Sequence, residues 1–144
     1  MTDEFFAKVL EREYDGVSPK ELSPLVLAYI GDAVYELLAR TRIVALGNAP
    51  VNKMNAQARQ IVNAKAQSDA YFLMEEHLTQ EELAVFKRGR NATSYTHPKN
   101  MDLTDYRHAT GLEAVFGYLY LSGCRDRITE LYELVYPLET EEKA

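Results

Sequence analysis

The chain has 144 residues, with 22 Asp or Glu against 16 Lys or Arg, and a formal net charge of −6 at pH 7. Its hydrophobic fraction of 47% excludes wholesale disorder and suits one compact core, so a single domain over residues 1–144 is expected. No apolar run reaches the roughly 18–20 residues of a membrane span. The start, Met-Thr-Asp-Glu-Phe-Phe, lacks the basic opening and long apolar stretch of a secretory signal. The one cysteine, Cys124, excludes an internal disulfide and fits a reducing cytoplasm. His77, His97 and His108 with that cysteine show no zinc-site spacing.

Taken in chain order, the elements are all helical. Residues 1–22 are acidic and read as a short helix or arm. Ser23-Pro24 is a helix start, with Ser as N-cap and Pro in the first turn. The helix pattern continues to about Leu46, where Gly47 stops it, and Leu27, Ile30, Val34, Leu37 and Leu38 fall on one face. Pro50 opens a helix expected to run to about His77 through Ala56, Ile61, Val62 and Ala66. Thr79-Gln-Glu-Glu82 is a capping box for a helix ending near Arg88. Residues 89–101 read as a polar loop. Asp102 or Thr104 caps the next helix, which ends near Ser122-Gly123, and a last helix runs from about Arg125 to Tyr136. Residues 139–144 read as a frayed tail. There is no alternating pattern of strand type, no internal repeat and no appended domain.

Two of these helices carry an isolated acid. Between Pro24 and Val34 the only charged residue is Asp32, and Leu25, Ala28 and Tyr35 flank it. A helix apolar almost all round is normally central and buried, and an acid there is costly unless paired, hydrogen-bonded or bound to a metal. A structural Arg partner or a capping role is the plain alternative. Gly31 favours the metal, because it lets another helix approach closely beside the acid at a cost of roughly 1 kcal/mol in helix propensity. Downstream, Glu113 is the only acid between Tyr106 and Leu121, with Ala109 and Gly117 one turn before and after it. Two such helices suggest that the acids meet. Neighbouring carboxylates repel unless they share a proton or a cation, and Mg²⁺ is the economical cation. The Asp32 helix is also apolar on more sides than so few helices can cover, which predicts a symmetric homodimer using that helix.

Leu27-Ala-Tyr-Ile-Gly-Asp-Ala-Val-Tyr-Glu36 resembles the first signature of the ribonuclease III catalytic domain, usually Glu-x-x-Glu-Phe-Leu-Gly-Asp-Ala. Leu112-Glu-Ala-Val-Phe-Gly-Tyr-Leu-Tyr-Leu121 resembles its second, Phe-Glu-Ala-Leu-Ile-Gly-Ala-Ile-Tyr-Leu. Lys87-Arg-Gly-Arg-Asn-Ala92 and Pro98-Lys-Asn100 are similar to the short bacterial Mini-ribonuclease III branch, which has no double-stranded-RNA-binding domain. The resemblance covers about residues 22–136. It implies the all-α ribonuclease III endonuclease fold, a homodimer and hydrolysis of double-stranded RNA to 5′-phosphate and 3′-hydroxyl ends. It implies Asp32 and Glu113 as catalytic Mg²⁺ ligands, and maturation of large-subunit ribosomal RNA precursor as the task. The chain departs from the wider family where two Glu residues are replaced by Leu25 and Ala28, and an Asp by Thr110. Thr110, backbone, phosphate oxygens and water are then candidates to complete the metal shell.

The net acidity hides two basic zones. Leu37–Ser68 contains no acid but holds Arg40, Arg42, Lys53, Arg59 and Lys65. Lys87–His108 holds Lys87, Arg88, Arg90, Lys99 and Arg107 against Asp102 and Asp105. Such asymmetry in an acidic chain points to a localised phosphate-binding surface. The candidates for RNA contact are Lys87, Arg88, Arg90, Asn91, Lys99, Asn100, Arg59 and Lys65, followed by Lys53, Arg107 and Tyr95. The plain reading of the Lys53–Lys65 basics is a solvated helix face, and Glu36 and Asp69 read as surface acids. Two rival functions stand beside the nuclease. One is a catalytically silent ribonuclease-III-like module that binds ribosomal RNA during assembly, and the other is a helical adaptor with no RNA role.

Overall fold

The computed structural model describes residues 14–92 and 101–137. Among them are six α-helices, two 3-10 turns and no strand: α1 Pro24–Ala45, α2 Val51–Ile61, α3 Ala64–Met74, α4 Gln80–Asn91, α5 Leu103–Leu121 and α6 Arg125–Val135, with turns at Pro19–Glu21 and Glu75–His77. The all-α expectation therefore holds for the described chain.

The expected caps set most boundaries. Ser23 Oγ accepts from the Leu25 amide at 3.2 Å, and Asp102, rather than Thr104, caps α5 through the Asp105 amide at 3.0 Å. Thr79 and Glu82 form the full reciprocal capping box. Gly47 and Gly123 take positive φ after α1 and α5, a region that a side chain would strain.

Two boundaries differ from the sequence expectation. The helix expected from Pro50 to His77 is broken at Val62–Asn63. Asn63 is extended there, and its side chain accepts from the Ala66 amide at 2.8 Å, so it starts a new helix. Asn competes well with helix continuation because its side chain satisfies an orphan N–H. The helix expected to stop near Arg88 instead runs to Asn91, so Arg88 and Arg90 are helical. The reason is packing: Gly89 is buried against α5, where a Cβ would lie 2.9 Å from the Gly111 Cα. The glycine is there for close approach, not for a turn. Residues 93–100, and with them Tyr95, Lys99 and Asn100, lie outside the described residues, as do 1–13 and 138–144.

Helix α5 is central and packs against α1, α3, α4 and α6. Every residue from Ala114 to Leu119 on it is buried. The rings of Tyr35, Phe116 and Tyr132 meet edge to face, and Tyr71 stacks on Phe86 at 3.7 Å between centroids. The buried face of α1 is Leu27, Ala28, Gly31, Tyr35, Ala39 and Ile43. This corrects the face expected from periodicity, since Leu37 is 66% exposed and Ile30, Val34 and Leu38 are half-buried. A helix apolar nearly all round does not fix its own rotation. The small side chains do, because α5 can come close only over them.

Candidate active site

At the α1–α5 crossing the two backbones come so close that a side chain would not fit between them at Gly31 or Gly117. A Cβ on Gly31 would run into the carbonyl of Glu113, and one on Gly117 into the carbonyl of Leu27. The expectation that Gly31 admits a neighbouring helix beside the acid is met here. The crossing brings Asp32 and Glu113 within interaction distance, although they come from distant segments.

The two acids are not equivalent. Asp32 is exposed, which corrects its expected burial: it sits at the edge of the α1 core face rather than inside it. Glu113 is the one withdrawn from water. Burial pushes its pKa up to about 8, and the Asp32 carboxylate adds to the rise, while a hydrogen bond from Gln67 opposes it. Gln67, buried on α3, donates from Nε2 to Glu113 Oε2 at 3.1 Å. Sequence reasoning missed this residue. The one clue was a Gln in an otherwise mostly apolar helix face, and nothing in the two motifs points to it.

Thr110, half-buried one turn before Glu113, donates its hydroxyl to the Tyr106 carbonyl at 2.9 Å and retains only acceptor capacity. Leu25 is exposed and Ala28 buried, so neither supplies an oxygen side chain. Among the described residues no group of three or more His, Cys, Asp or Glu is placed to hold a metal ion. The donor set is two carboxylate side chains. That set fits a hard cation that keeps several waters and takes the rest of its shell from phosphate oxygens, as Mg²⁺ does. Burial and the neighbouring Asp32 both work against the charged form of Glu113, and no basic side chain of the described residues is among the groups that act on it.

The Ribonuclease III domain family matches residues 25–123. A Mini-ribonuclease 3 from Clostridium tetani is 47% identical over 92% of this chain and 88% of its own. Another from Thermoanaerobacter is 49% identical over 78% of this chain and 80% of its own. The chain belongs to the Mini-ribonuclease 3 branch of the ribonuclease III family. Members of this family are endoribonucleases of the ribonuclease III type, metal-dependent and directed at double-stranded RNA, and this chain is one of them. A crystal structure of a Fusobacterium nucleatum protein overlays with a TM-score of 0.76 at 31% identity, covering 83% of this chain and 98% of that one.

The basic candidates are spread over several elements. Lys53 and Arg59 are exposed on α2, and Lys87 and Arg107 are exposed on α4 and α5. Lys65 is tied to Asp69 at 2.9 Å, so part of its charge is already met. Arg88 is exposed and donates to the Leu22 carbonyl at 3.2 Å. Arg90 is half-buried, lies over the Phe86 ring and donates to Asn91 Oδ1 at 3.1 Å. Glu36 pairs with Arg40 and Asp69 with Lys65, in keeping with their reading as surface acids.

Proposed function

We propose that the chain is a Mg²⁺-dependent, cytoplasmic endoribonuclease that matures large-subunit ribosomal RNA precursor as a homodimer. The observation that carries this reading is the meeting of Asp32 and Glu113 at the glycine crossing, with Glu113 raised to about 8. When bound, the cation supplies a nucleophilic water at neutral pH and offsets charge on the scissile phosphate. Asp32 and Glu113 would hold it, brought together by the close α1–α5 crossing. Hydrolysis then leaves a 5′-phosphate and a 3′-hydroxyl. Lys53, Arg59, Lys87, Arg88 and Arg107 supply phosphate contacts along the duplex, whose A-form shape and backbone are what such a surface reads.

The dimer reading rests on the outer side of α1. Val26, Tyr29, Leu37 and Val44 share one stripe there, and Tyr29 is 82% exposed. Exposed Arg40, paired with Glu36, lies on the same stripe, and the apolar side chains around it form a surface suited to a two-fold partner. No helix among the described residues is long and apolar enough to cross a membrane.

Incubation with a long RNA duplex, in Mg²⁺ and in EDTA, tests the reaction. Cleavage is expected only with the metal, on duplex and not on single strands. Cleavage that persists in EDTA would overturn the metal assignment. Binding of ribosomal RNA without any cutting would favour the silent assembly module. A stable monomer in sedimentation at micromolar concentration would overturn the dimer.

A further inference from the structure

We infer that Gln67 is a positioning residue for the metal site, acting through Glu113; the inference rests on the reading of Asp32 and Glu113 as cation ligands. The geometry is specific. Gln67 is 3% exposed, and its Nε2 donates to Glu113 Oε2 at 3.1 Å across a separation of 46 residues. An ionised carboxylate only accepts, so the amide must present its N–H to it. That contact favours the charged form of Glu113, the form a cation requires. The contact falls on Oε2, and Asp32 is the other side chain hydrogen-bonded to this carboxyl.

The chemistry of the side chain matters. A Lys at this position would bring a charge that competes with the cation. A Glu would add a third repelling acid. The neutral amide stabilises the carboxylate without either effect. Its placement is rigid as well. Asn63 caps the start of α3, so Gln67 lies in its first turn, and its amide donates to the Asn63 carbonyl at 2.9 Å. The adjacent Ser68, 2% exposed, has its Oγ 2.9 Å from His108 Nδ1 on α5. Two neighbouring residues of α3 thus hold α5 by side-chain contacts, and one of the two ends on the candidate metal ligand. The bland alternative is that Gln67 merely fills space between α3 and α5.

Gln67→Met and Gln67→Leu put an apolar side chain of similar bulk in its place and remove the donor. Mn²⁺ binding to the RNA-free protein, followed by electron paramagnetic resonance, is the direct readout, with Glu113→Gln measured in parallel. Partners that orient a metal ligand typically govern affinity by roughly 10–100-fold, and a weakening in that range is expected for both Gln67 variants. Their duplex affinity without metal stays at the wild-type value. Their cleavage rate recovers at high Mg²⁺, since the ligands themselves remain. Wild-type Mn²⁺ affinity in a folded Gln67 variant, with binding lost in Glu113→Gln, overturns the inference and leaves the metal site standing. Wild-type affinity in Glu113→Gln overturns the metal reading itself. Should both Gln67 variants fail to fold, the side-chain amide resonance of Gln67 in wild-type protein decides. It is expected to shift on Mg²⁺ titration, and to stay fixed in Glu113→Gln. A resonance that stays fixed in wild type overturns the inference.

Discussion

Two glutamates among the described residues are drawn away from water, and their surroundings push them in opposite directions. Glu82, 5% exposed in the first turn of α4, receives Arg127 Nη2 and Nε at 2.8 Å and the Thr79 amide at 2.9 Å. Burial acts to raise its pKa, yet the Arg127 and Thr79 hydrogen bonds outweigh burial and hold it below the usual value. Glu113 on α5 has a neutral amide and a second carboxylate instead, and it rises to about 8. The difference sets a structural acid beside the proposed ligand acid. The first carries its counter-charge inside the fold. Among the described residues, those that act on the second are a neutral amide and another acid.

The comparison breaks most sharply at the ligand acids. Asp32→Asn and Glu113→Gln keep volume and remove the charge that holds a cation. A bound metal contributes several kcal/mol to transition-state stabilisation, so duplex cleavage in Mg²⁺ should fall about 10³-fold or more for either variant. Folding and duplex affinity should be largely unchanged. Near wild-type cleavage by Asp32→Asn would sink the ligand assignment.

Removing the counter-charge of the structural acid should do the reverse. Arg127→Met leaves Glu82 buried with only its capping contacts, and also loses the bonds from Arg127 to the His77 carbonyl and to Glu130. Breaking such a pair from one side costs roughly 3 kcal/mol, a drop in Tm on the order of 10 °C for a domain of this size. Cleavage per folded molecule should be unaffected. A double variant, Glu82→Gln with Arg127→Met, should regain part of the loss, because no buried charge is then left unpaired. Calorimetry of the single and double variants measures both.

Titration sharpens the comparison further. Glu113 has a folded pKa near 8 against an ordinary 4.5, so between those values the folded state binds more protons than the unfolded one. The sign follows: the penalty is absent below pH 4.5, grows as pH rises, and is complete above about 8. In EDTA, the Tm of the wild-type protein should therefore fall from pH 5 to pH 8 relative to Glu113→Gln. Adding Mg²⁺ at the upper end should restore it. Parallel Tm curves for the two proteins would show that Glu113 is not the strained group.

Much of this arrangement is legible in the sequence, and the remainder fails for identifiable reasons. Local signals carried the caps at Ser23, Thr79 and Asp102, because each is a short-range hydrogen bond between a side chain and a nearby amide. The encounter of Asp32 with Glu113 followed from isolated acids flanked by small residues. Asn63 was read through as helix, since Asn inside a helix and Asn at a cap have the same neighbours in sequence. The rotation of α1 was misjudged because its apolar residues surround the axis, leaving small side chains to choose the packed face. Gly89 was read as a loop residue although its role is close packing against Gly111. Gln67 was invisible for a different reason. Its meaning depends on a partner on another helix, and a lone polar residue does not announce which helix it faces.

The same contrast between satisfied and unsatisfied charge extends to the cations. Arg127 is spent inside the fold on Glu82, and Lys65 is partly spent on Asp69. Lys87 is exposed on the last turns of α4 and is free to meet phosphate from outside. If it contacts the duplex backbone, Lys87→Ala should weaken binding across all duplex sequences. The log–log dependence of affinity on salt should flatten by about 0.7–0.9, the value of one lost phosphate contact. Lys65→Ala should flatten it less, and Arg127→Met should leave the slope unchanged in the folded protein. The measurement is duplex binding without metal over a range of salt, so that cutting does not enter. Cleavage by Lys87→Ala should recover at saturating RNA, unlike that of the Asp32 and Glu113 variants. If Lys87→Ala keeps the wild-type slope, α4 does not carry the phosphate surface. The exposed Lys53 and Arg59 of α2 would then be the next to replace.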